Sequence, residues 1–172
     1  QNVVVEKGKN VDETEWLGFG KCRLSLAVSK NDKYDSLAFF NGKRIATSYP
    51  LLLKNFLEKN KITATIHEIS GSVEIAPGIG LAEGICDIVS SGSTLFSNGL
   101  KEVETVFQSE AVLITNKNLS AEKRKILDQL IFRIRSVNNA KNNKYILLNT
   151  TNDKLEKIIS ILPGMKSPTV LP

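Results

Sequence analysis

The most informative stretch of this sequence runs Glu83-Gly84-Ile85-Cys86-Asp87-Ile88-Val89-Ser90-Ser91-Gly92-Ser93-Thr94-Leu95. Its apolar part, residues 85–89, predicts a buried strand, and the hydroxyl residues and glycine after it predict a loop. A short helix is expected to begin near Ser93. A helix N-terminus presents unpaired N–H groups and a partial positive charge, so this junction is a candidate phosphate site. Asp87 lies near the same end of the strand, where a carboxylate is suited to sugar hydroxyls or a metal.

The composition is typical of a soluble globular protein. With 172 residues the chain is long enough for a sizeable core in one or two domains. Its net charge of +5 is scattered, with no basic stripe interleaved with aromatic residues, so we expect no nucleic-acid partner. No apolar run approaches the roughly 20 residues of a membrane span, so none is predicted. The first residues resemble the middle of a longer sequence, and we expect that the natural beginning is missing.

The cysteines and the single histidine argue against a structural metal. Cys22 and Cys86 lie in apolar stretches, too far apart in sequence for a metal knuckle. We predict free buried thiols rather than a disulfide, which favours a reducing, cytoplasmic compartment. One histidine without a cysteine cluster argues strongly against a structural zinc site.

Strands and helices alternate along the chain. Strands are predicted at residues 21–28, 44–47, 64–69, 102–106 and 111–115, in addition to 85–89. Helices are predicted from Ser48 to about residue 60, from Ser72 to about residue 82 with Gly84 as its stop, and over 120–137. The first presents Tyr49, Leu52, Leu53, Phe56 and Leu57 on one face, and the last presents Ile126, Leu127, Leu130, Ile131 and Ile134. This alternation over residues 44–115 predicts an α/β domain with a largely parallel sheet, whose ligands bind beyond the carboxyl ends of the strands.

The end of the chain restarts the pattern. Residues 145–148 predict a strand, Asn152 caps a helix that ends at Pro163-Gly164, and residues 169–171 predict another strand. Such a β-α-β unit leaves one face of its sheet with too little cover to be stable alone. We therefore expect this unit to be half of a domain.

Each candidate site residue also has a plain structural interpretation. From the residues alone, Ser90-Ser91-Gly92 favours a strand-to-helix turn whose hydroxyls cap the helix. Asp87 is also suited to accepting hydrogen bonds from local N–H groups. Glu74 is also suited to the first turn of a helix, where the helix dipole favours an acidic side chain. A non-catalytic module that binds a phosphate or a nucleotide is therefore an alternative to an enzyme.

Five motifs carry a resemblance to a known family. In chain order they are Gly18-Phe19-Gly20-Lys21-Cys22-Arg23-Leu24-Ser25-Leu26-Ala27, Gly42-Lys43-Arg44-Ile45-Ala46-Thr47-Ser48-Tyr49-Pro50, Gly71-Ser72-Val73-Glu74-Ile75-Ala76-Pro77, Cys86-Asp87-Ile88-Val89-Ser90-Ser91-Gly92-Ser93-Thr94-Leu95 and Leu162-Pro163-Gly164-Met165-Lys166-Ser167-Pro168-Thr169. Together they resemble the ATP phosphoribosyltransferases, the first enzymes of histidine biosynthesis, in their long form.

The resemblance implies an α/β fold with a two-lobed catalytic core similar to type-II periplasmic binding proteins, followed by half of an ACT-like β-α-β regulatory domain. Residues 1–30 would hold the end of the first lobe and a crossing strand, and 31–109 the complete second lobe. Residues 110–144 would hold the return strand, a helix packed on the first lobe and a linker, and 145–172 the regulatory half-domain. The crossings would be the strands over 22–28 and 111–115.

The resemblance also implies the chemistry. Adenine N1 of ATP attacks the anomeric carbon of phosphoribosyl pyrophosphate, pyrophosphate leaves, and Mg²⁺ offsets its charge. Histidine would inhibit the intact protein, which would form a homo-oligomer, a hexamer or a dimer. The 5′-phosphate would be held by Ser90, Ser91, Gly92, Ser93 and Thr94. Asp87 would accept from the ribose hydroxyls, and Ser72 and Glu74 would face the same cleft, while no residue is assigned to catalysis. Because the family's opening part is absent, we expect no turnover from the chain alone.

Overall fold

The computed structural model describes residues 1–8, 10–141, 143–144 and 146–161. The chain divides into two compact units, Gln1–Asn138 and Asn139–Pro172. The elements in order are α1 (Asn2–Lys7), β1 (Val11–Trp16), β2 (Cys22–Ser29), β3 (Arg44–Thr47), α2 (Pro50–Lys59), β4 (Thr65–Glu68), β5 (Gly84–Val89), α3 (Ser93–Ser97), β6 (Leu100–Ser109), β7 (Val112–Asn116), α4 (Ala121–Ala140) and α5 (Asn152–Ile161). Two 3₁₀ helices, Leu37–Phe40 and Val73–Ile75, lie between them.

The main sheet has five strands in the order β4-β3-β5-β2-β6. Strands β4, β3 and β5 are parallel, but β2 pairs antiparallel with both β5 and β6. The α/β prediction is confirmed, and the strands of residues 44–115 that join this sheet, β3 to β6, all run in one direction, as predicted. The sheet is nevertheless mixed, because β2, which precedes that range, is reversed between β5 and β6. Apolar patterning identifies a strand but carries no information about its direction, which the connections set.

The two faces of this sheet bury separate apolar clusters, because successive side chains of a strand point to opposite faces. One face carries Leu24, Leu26, Ile45 and Cys86 and is covered by α2 and the Leu37–Phe40 helix. The other carries Ala27, Ala46, Ile85 and Val89 and packs against Val73, Ala76, Leu95 and Leu100. The predicted apolar face of α2 is confirmed, since Leu52, Leu53 and Leu57 are buried and Tyr49 and Phe56 pack against the same cluster.

A second, smaller sheet pairs β1 with β7 antiparallel. Residues 17–21 and 110–111 connect this pair to the five-stranded sheet. The strand expected as the first crossing, β2, thus lies inside the large sheet, and the expected return strand is β7 of the small one. The lobe boundaries at residues 30 and 109 stay a prediction.

Helix α4 (Ala121–Ala140) confirms the helix predicted over 120–137; it begins one residue later and extends further, to Ala140. Its predicted apolar face is only partly buried: Leu127 and Ile131 are 9% exposed, whereas Ile126 is 65% and Leu130 46% exposed. The helix approaches the small sheet, where Arg135 forms an ion pair with Glu15 of β1. Two strands offer too little surface to cover the whole face.

Two predicted helix starts are wrong. Ser48 does not cap α2; its hydroxyl donates to the Ile69 carbonyl at 2.7 Å, and Tyr49 holds the N-cap position. The helix predicted from Ser72 to residue 82 is only the 3₁₀ helix Val73–Ile75, and Gly84 begins β5 instead of ending a helix. Ser72 adopts a left-handed φ of 50°, and Gly80 adopts 73°, so the backbone turns at both ends of this segment.

In the second unit, α5 confirms the predicted helix. The strand predicted at 145–148 is wrong for residues 146–148, which have no regular structure; a strand needs a partner for its backbone groups, and none is found within the described part of this unit. Tyr145 and the predicted strand at 169–171 lie outside the described residues. Among the helices that the structure describes, none has the length and hydropathy required to cross a bilayer.

Candidate functional site

The carboxyl ends of β4, β3 and β5 lie side by side at one edge of the large sheet. Each strand is followed there by a short loop: residues 48–49 lead into α2, residues 69–72 precede the 3₁₀ helix, and residues 90–92 lead into α3. Ligands of open α/β sheets bind at this edge. The structure thus brings the segments that contain all eight predicted site residues to one edge.

The loop after β5 exposes hydroxyls and backbone donors. Gly92 has a φ of 83°, which allows the tight turn, and the Phe96 N–H donates to its carbonyl to begin α3. The hydroxyls of Ser91 and Ser93 lie 3.0 Å apart. In the described chain the N–H groups of Thr94 and Leu95 have no hydrogen-bond partner. The loop can therefore donate several hydrogen bonds to an anion.

Asp87 is half-buried at the end of β5. Burial raises its pKa, opposed by the Ile88 N–H, and the charge of Glu74 raises it further. The charge of Glu74 is thus felt at the Asp87 carboxylate, and the shared cleft stays a prediction. Ser72 is exposed at the start of the same 3₁₀ helix that carries Glu74. These groups offer acceptors beside the donors of the loop.

Arg23 of β2 contacts the start of the loop, a role that was not predicted from the sequence. Its guanidinium forms a two-pronged ion pair with Glu102 of β6, and its Nη1 donates to the Ser90 carbonyl at 3.2 Å. The hydrogen bonds from Arg23 lower the pKa of Glu102. A charged residue inside the apolar run 22–28 was the available signal.

Thr47 and Tyr49 connect the end of β3 to β5. The buried Thr47 hydroxyl donates to the Cys86 carbonyl at 2.7 Å and accepts from the Tyr49 N–H at 3.0 Å. Burial raises the pKa of Tyr49, and the charge of Asp87 adds to that rise, so the phenol stays neutral at neutral pH. Sequence patterning had placed Tyr49 only on the buried face of α2.

The described residues contain no group of three or more side chains able to hold a metal ion by themselves. Asp87 and Glu74 supply two neighbouring carboxylates. Mg²⁺ is commonly bound by one or two carboxylates together with substrate phosphates and water. The edge therefore fits a Mg²⁺ ion that arrives with a phosphorylated ligand better than a resident metal.

Comparisons with known proteins agree with the resemblance. Residues 1–136 match the family model of HisG, ATP phosphoribosyltransferase, and residues 140–172 match that of the HisG C-terminal domain. The chain is 58% identical over all 172 residues to the ATP phosphoribosyltransferases of Bacteroides thetaiotaomicron and Cytophaga hutchinsonii. It covers 61% and 60% of these two proteins, so it spans about three fifths of their length.

Solved structures give the same fold. The ATP phosphoribosyl transferase (HisG:HisZ) complex from Thermotoga maritima matches with a TM-score of 0.68 at 26% identity, over 80% of this chain and 66% of that one. The substrate binding protein of an amino acid ABC transporter matches with a TM-score of 0.59 at 13% identity, over 79% and 61%. The second likeness concerns the fold alone and confirms the predicted similarity to periplasmic binding proteins.

Proposed function

The chain belongs to the ATP phosphoribosyltransferase family, and on that basis we propose that the protein transfers the phosphoribosyl group of phosphoribosyl pyrophosphate to N1 of the adenine of ATP. The products are phosphoribosyl-ATP and pyrophosphate, and the reaction is the first step of histidine biosynthesis. The observation that carries the proposal is the arrangement at the end of β5, where the half-buried Asp87 is followed by free donors in residues 90–94. This segment, called the 90–94 loop below, comprises the loop after β5 and the first two residues of α3.

The 90–94 loop holds the 5′-phosphate. Its donors are the hydroxyls of Ser90, Ser91, Ser93 and Thr94 and the backbone N–H groups at the start of α3. Gly92 supplies the turn that lets the backbone approach the phosphate closely. Several hydrogen bonds to one anion fix its position, which is the main requirement of a displacement at the anomeric carbon.

Asp87 accepts from the ribose hydroxyls, and Ser72 and Glu74 border the same cleft. A ribose hydroxyl is a good donor to a carboxylate that has lost part of its water shell, and burial of Asp87 meets that condition. The negative charges of Asp87 and Glu74 also repel a phosphate, so this side of the cleft favours the neutral sugar.

A divalent cation, Mg²⁺, would offset the charge of the departing pyrophosphate. Asp87 and Glu74 are the described residues suited to contact it. The remaining elements of the proposal extend to the whole protein: ATP as second substrate, histidine as feedback inhibitor, assembly as a homo-oligomer and a place in the cytoplasm. Free thiols at Cys22 and Cys86 support a reducing compartment.

The test uses the protein at the full length of its curated relatives. Given ATP, Mg²⁺ and phosphoribosyl pyrophosphate, it should form phosphoribosyl-ATP, measured by chromatography. Thr94→Ala should raise KM for phosphoribosyl pyrophosphate roughly tenfold or more, because a hydrogen bond to a charged group contributes about 1.5–3 kcal/mol. KM for ATP should change little.

Ser97→Ala is the matched control, since this exposed hydroxyl lies at the far end of the same short helix. It should leave both KM values unchanged. A folded full-length protein that forms no phosphoribosyl-ATP contradicts the enzyme. If it nevertheless binds phosphoribosyl pyrophosphate at the 90–94 loop, the alternative of a non-catalytic binding module is favoured.

A further inference from the structure

The first N–H groups of α2, which a helix leaves without a partner inside itself, all find hydrogen-bond partners elsewhere in the chain. Pro50, the first residue of the helix, has no N–H. The N–H groups of Leu51 and Leu52 donate to the two carboxylate oxygens of Glu6, at 2.8 and 2.9 Å. Leu53 begins the regular helical hydrogen bonding by donating to a carbonyl at 3.1 Å. In the described structure, this helix end therefore has no donor left for a ligand.

Glu6 is firmly held in this position. It lies on α1 and is only 9% exposed. The first residue of that helix, Asn2, donates from its N–H to the Ser109 hydroxyl at 3.1 Å, and the hydroxyl donates back to the Asn2 side-chain oxygen at 3.0 Å. One end of α1 is thus tied to the end of β6 and the other to the start of α2. The negative charge of Glu6 faces the positive end of the α2 dipole.

Two helices begin at the sheet edge described above, and they differ in this respect. The start of α3 leaves the N–H groups of Thr94 and Leu95 free, whereas the start of α2 is occupied by a carboxylate. A helix of ten residues with free N–H groups would attract a phosphate in its own right. Two anion sites at one edge would compete for the phosphate groups of a ligand.

We propose that Glu6 is a resident anion that closes the start of α2 to phosphate and so directs the phosphate of the ligand to the 90–94 loop. Glu6 is then a specificity-determining residue that contacts no substrate. The identity of the ligand rests on the proposed function. The exclusion itself rests on the hydrogen bonds of Glu6 and on the repulsion between its carboxylate and any second anion.

The experiment counts phosphate sites on the full-length protein with inorganic phosphate as the probe, by calorimetric titration and ³¹P NMR. Glu6→Ala should bind one phosphate more than the wild type, and this extra phosphate should persist when Thr94→Ala is added. Loss of a wild-type phosphate in Thr94→Ala alone tests the proposed function. The gain in Glu6→Ala tests the exclusion, so failure of one is distinguishable from failure of the other.

Glu58→Gln is the control, because it removes the same charge from the exposed side of α2, where Glu58 lies 3.8 Å from Lys54. It should leave the number of phosphates unchanged. If Glu6→Ala does not fold, Glu6→Gln decides, since it keeps the length of the side chain and one acceptor but loses the charge. It should gain the same phosphate with lower affinity. An unchanged number of phosphates in a folded Glu6 variant overturns the proposal.

Discussion

Arg23 and Ser90 are joined by a hydrogen bond from the guanidinium Nη1 to the carbonyl, 3.2 Å long, across 67 positions of sequence. The same guanidinium is fixed by Glu102 through its other nitrogens. The start of the 90–94 loop is therefore connected to two strands of the large sheet besides its own. This bond holds the start of the loop against the sheet.

Replacing Arg23 by Lys should loosen the loop while preserving the positive charge. A single ammonium cannot reproduce a planar fork that reaches a carboxylate and a carbonyl together. We expect KM for phosphoribosyl pyrophosphate in the full-length protein to rise roughly three- to tenfold, which corresponds to about 1 kcal/mol for one hydrogen bond. The value of kcat should change less than KM.

Arg135→Lys is the control for this change. Arg135 also makes a two-pronged ion pair, with Glu15, but on α4 and far in sequence from the loop. It should leave KM unchanged. Equal effects of the two substitutions would show that Arg23 acts through general stability and not through the loop.

Asp87→Asn should stabilise the fold at neutral pH. Burial and the charge of Glu74 raise the pKa of Asp87 above its ordinary value of 3.8. The folded chain then binds this proton more tightly than the unfolded chain, so the stability contributed by Asp87 is present at low pH and is lost as pH rises through the raised pKa. The variant should show a higher free energy of unfolding at pH 7 and a smaller decline from pH 4 to 7, measured by urea denaturation.

The same substitution should lower the activity proposed above. Loss of a charged acceptor for the ribose hydroxyls should lower kcat/KM for phosphoribosyl pyrophosphate roughly 10- to 100-fold. Asp128→Asn, an exposed position on α4, should alter neither stability nor activity. A variant that loses stability and activity together would place Asp87 in the framework of the fold, against the role proposed for it.

Short-range patterns were sufficient for the elements around the site. The run of apolar residues before Ser90, and the hydroxyls and glycine after it, predicted β5, the loop and α3 because each feature is local. The spacing of Leu52, Leu53 and Leu57 predicted the buried face of α2 for the same reason.

Features that depend on contacts between distant segments of the chain could not be predicted from the sequence. The cap of α2 comes from Glu6, 45 positions before Leu51, whereas the local pattern predicted Ser48. The direction of β2 and the link from Arg23 to Ser90 depend equally on distant segments. Local propensity has no access to such pairings, and tertiary structure overrides it.

The two cysteines should differ sharply in reactivity. Cys86 is fully buried, and burial raises the pKa of its thiol, whereas Cys22 is half-buried. The thiolate is the reactive form, so Cys86 should react with a disulfide reagent slower than Cys22 by roughly two orders of magnitude or more. In the folded Cys86→Ser variant, the absorbance of the thiol released from the reagent should rise quickly by one equivalent per chain. In Cys22→Ser it should rise only on unfolding; fast labelling of that variant would contradict the buried position of Cys86.

Gly84→Ala should destabilise the fold by about 1–3 kcal/mol, the usual cost of adding a methyl group to a filled core. Its Cβ would lie 2.7 Å from a ring carbon of Phe40 and 3.2 Å from the Ala27 carbonyl oxygen. Phe40 is fully buried and packs edge-on against Phe39, so displacing its ring would disturb this packing. Gly78→Ala is the matched control, because its nearest contact would be an ordinary 3.4 Å and the added methyl restricts only the unfolded chain. Urea denaturation should therefore separate the two variants by more than 1 kcal/mol, and equal midpoints would mean that the core around Phe40 yields to the methyl group.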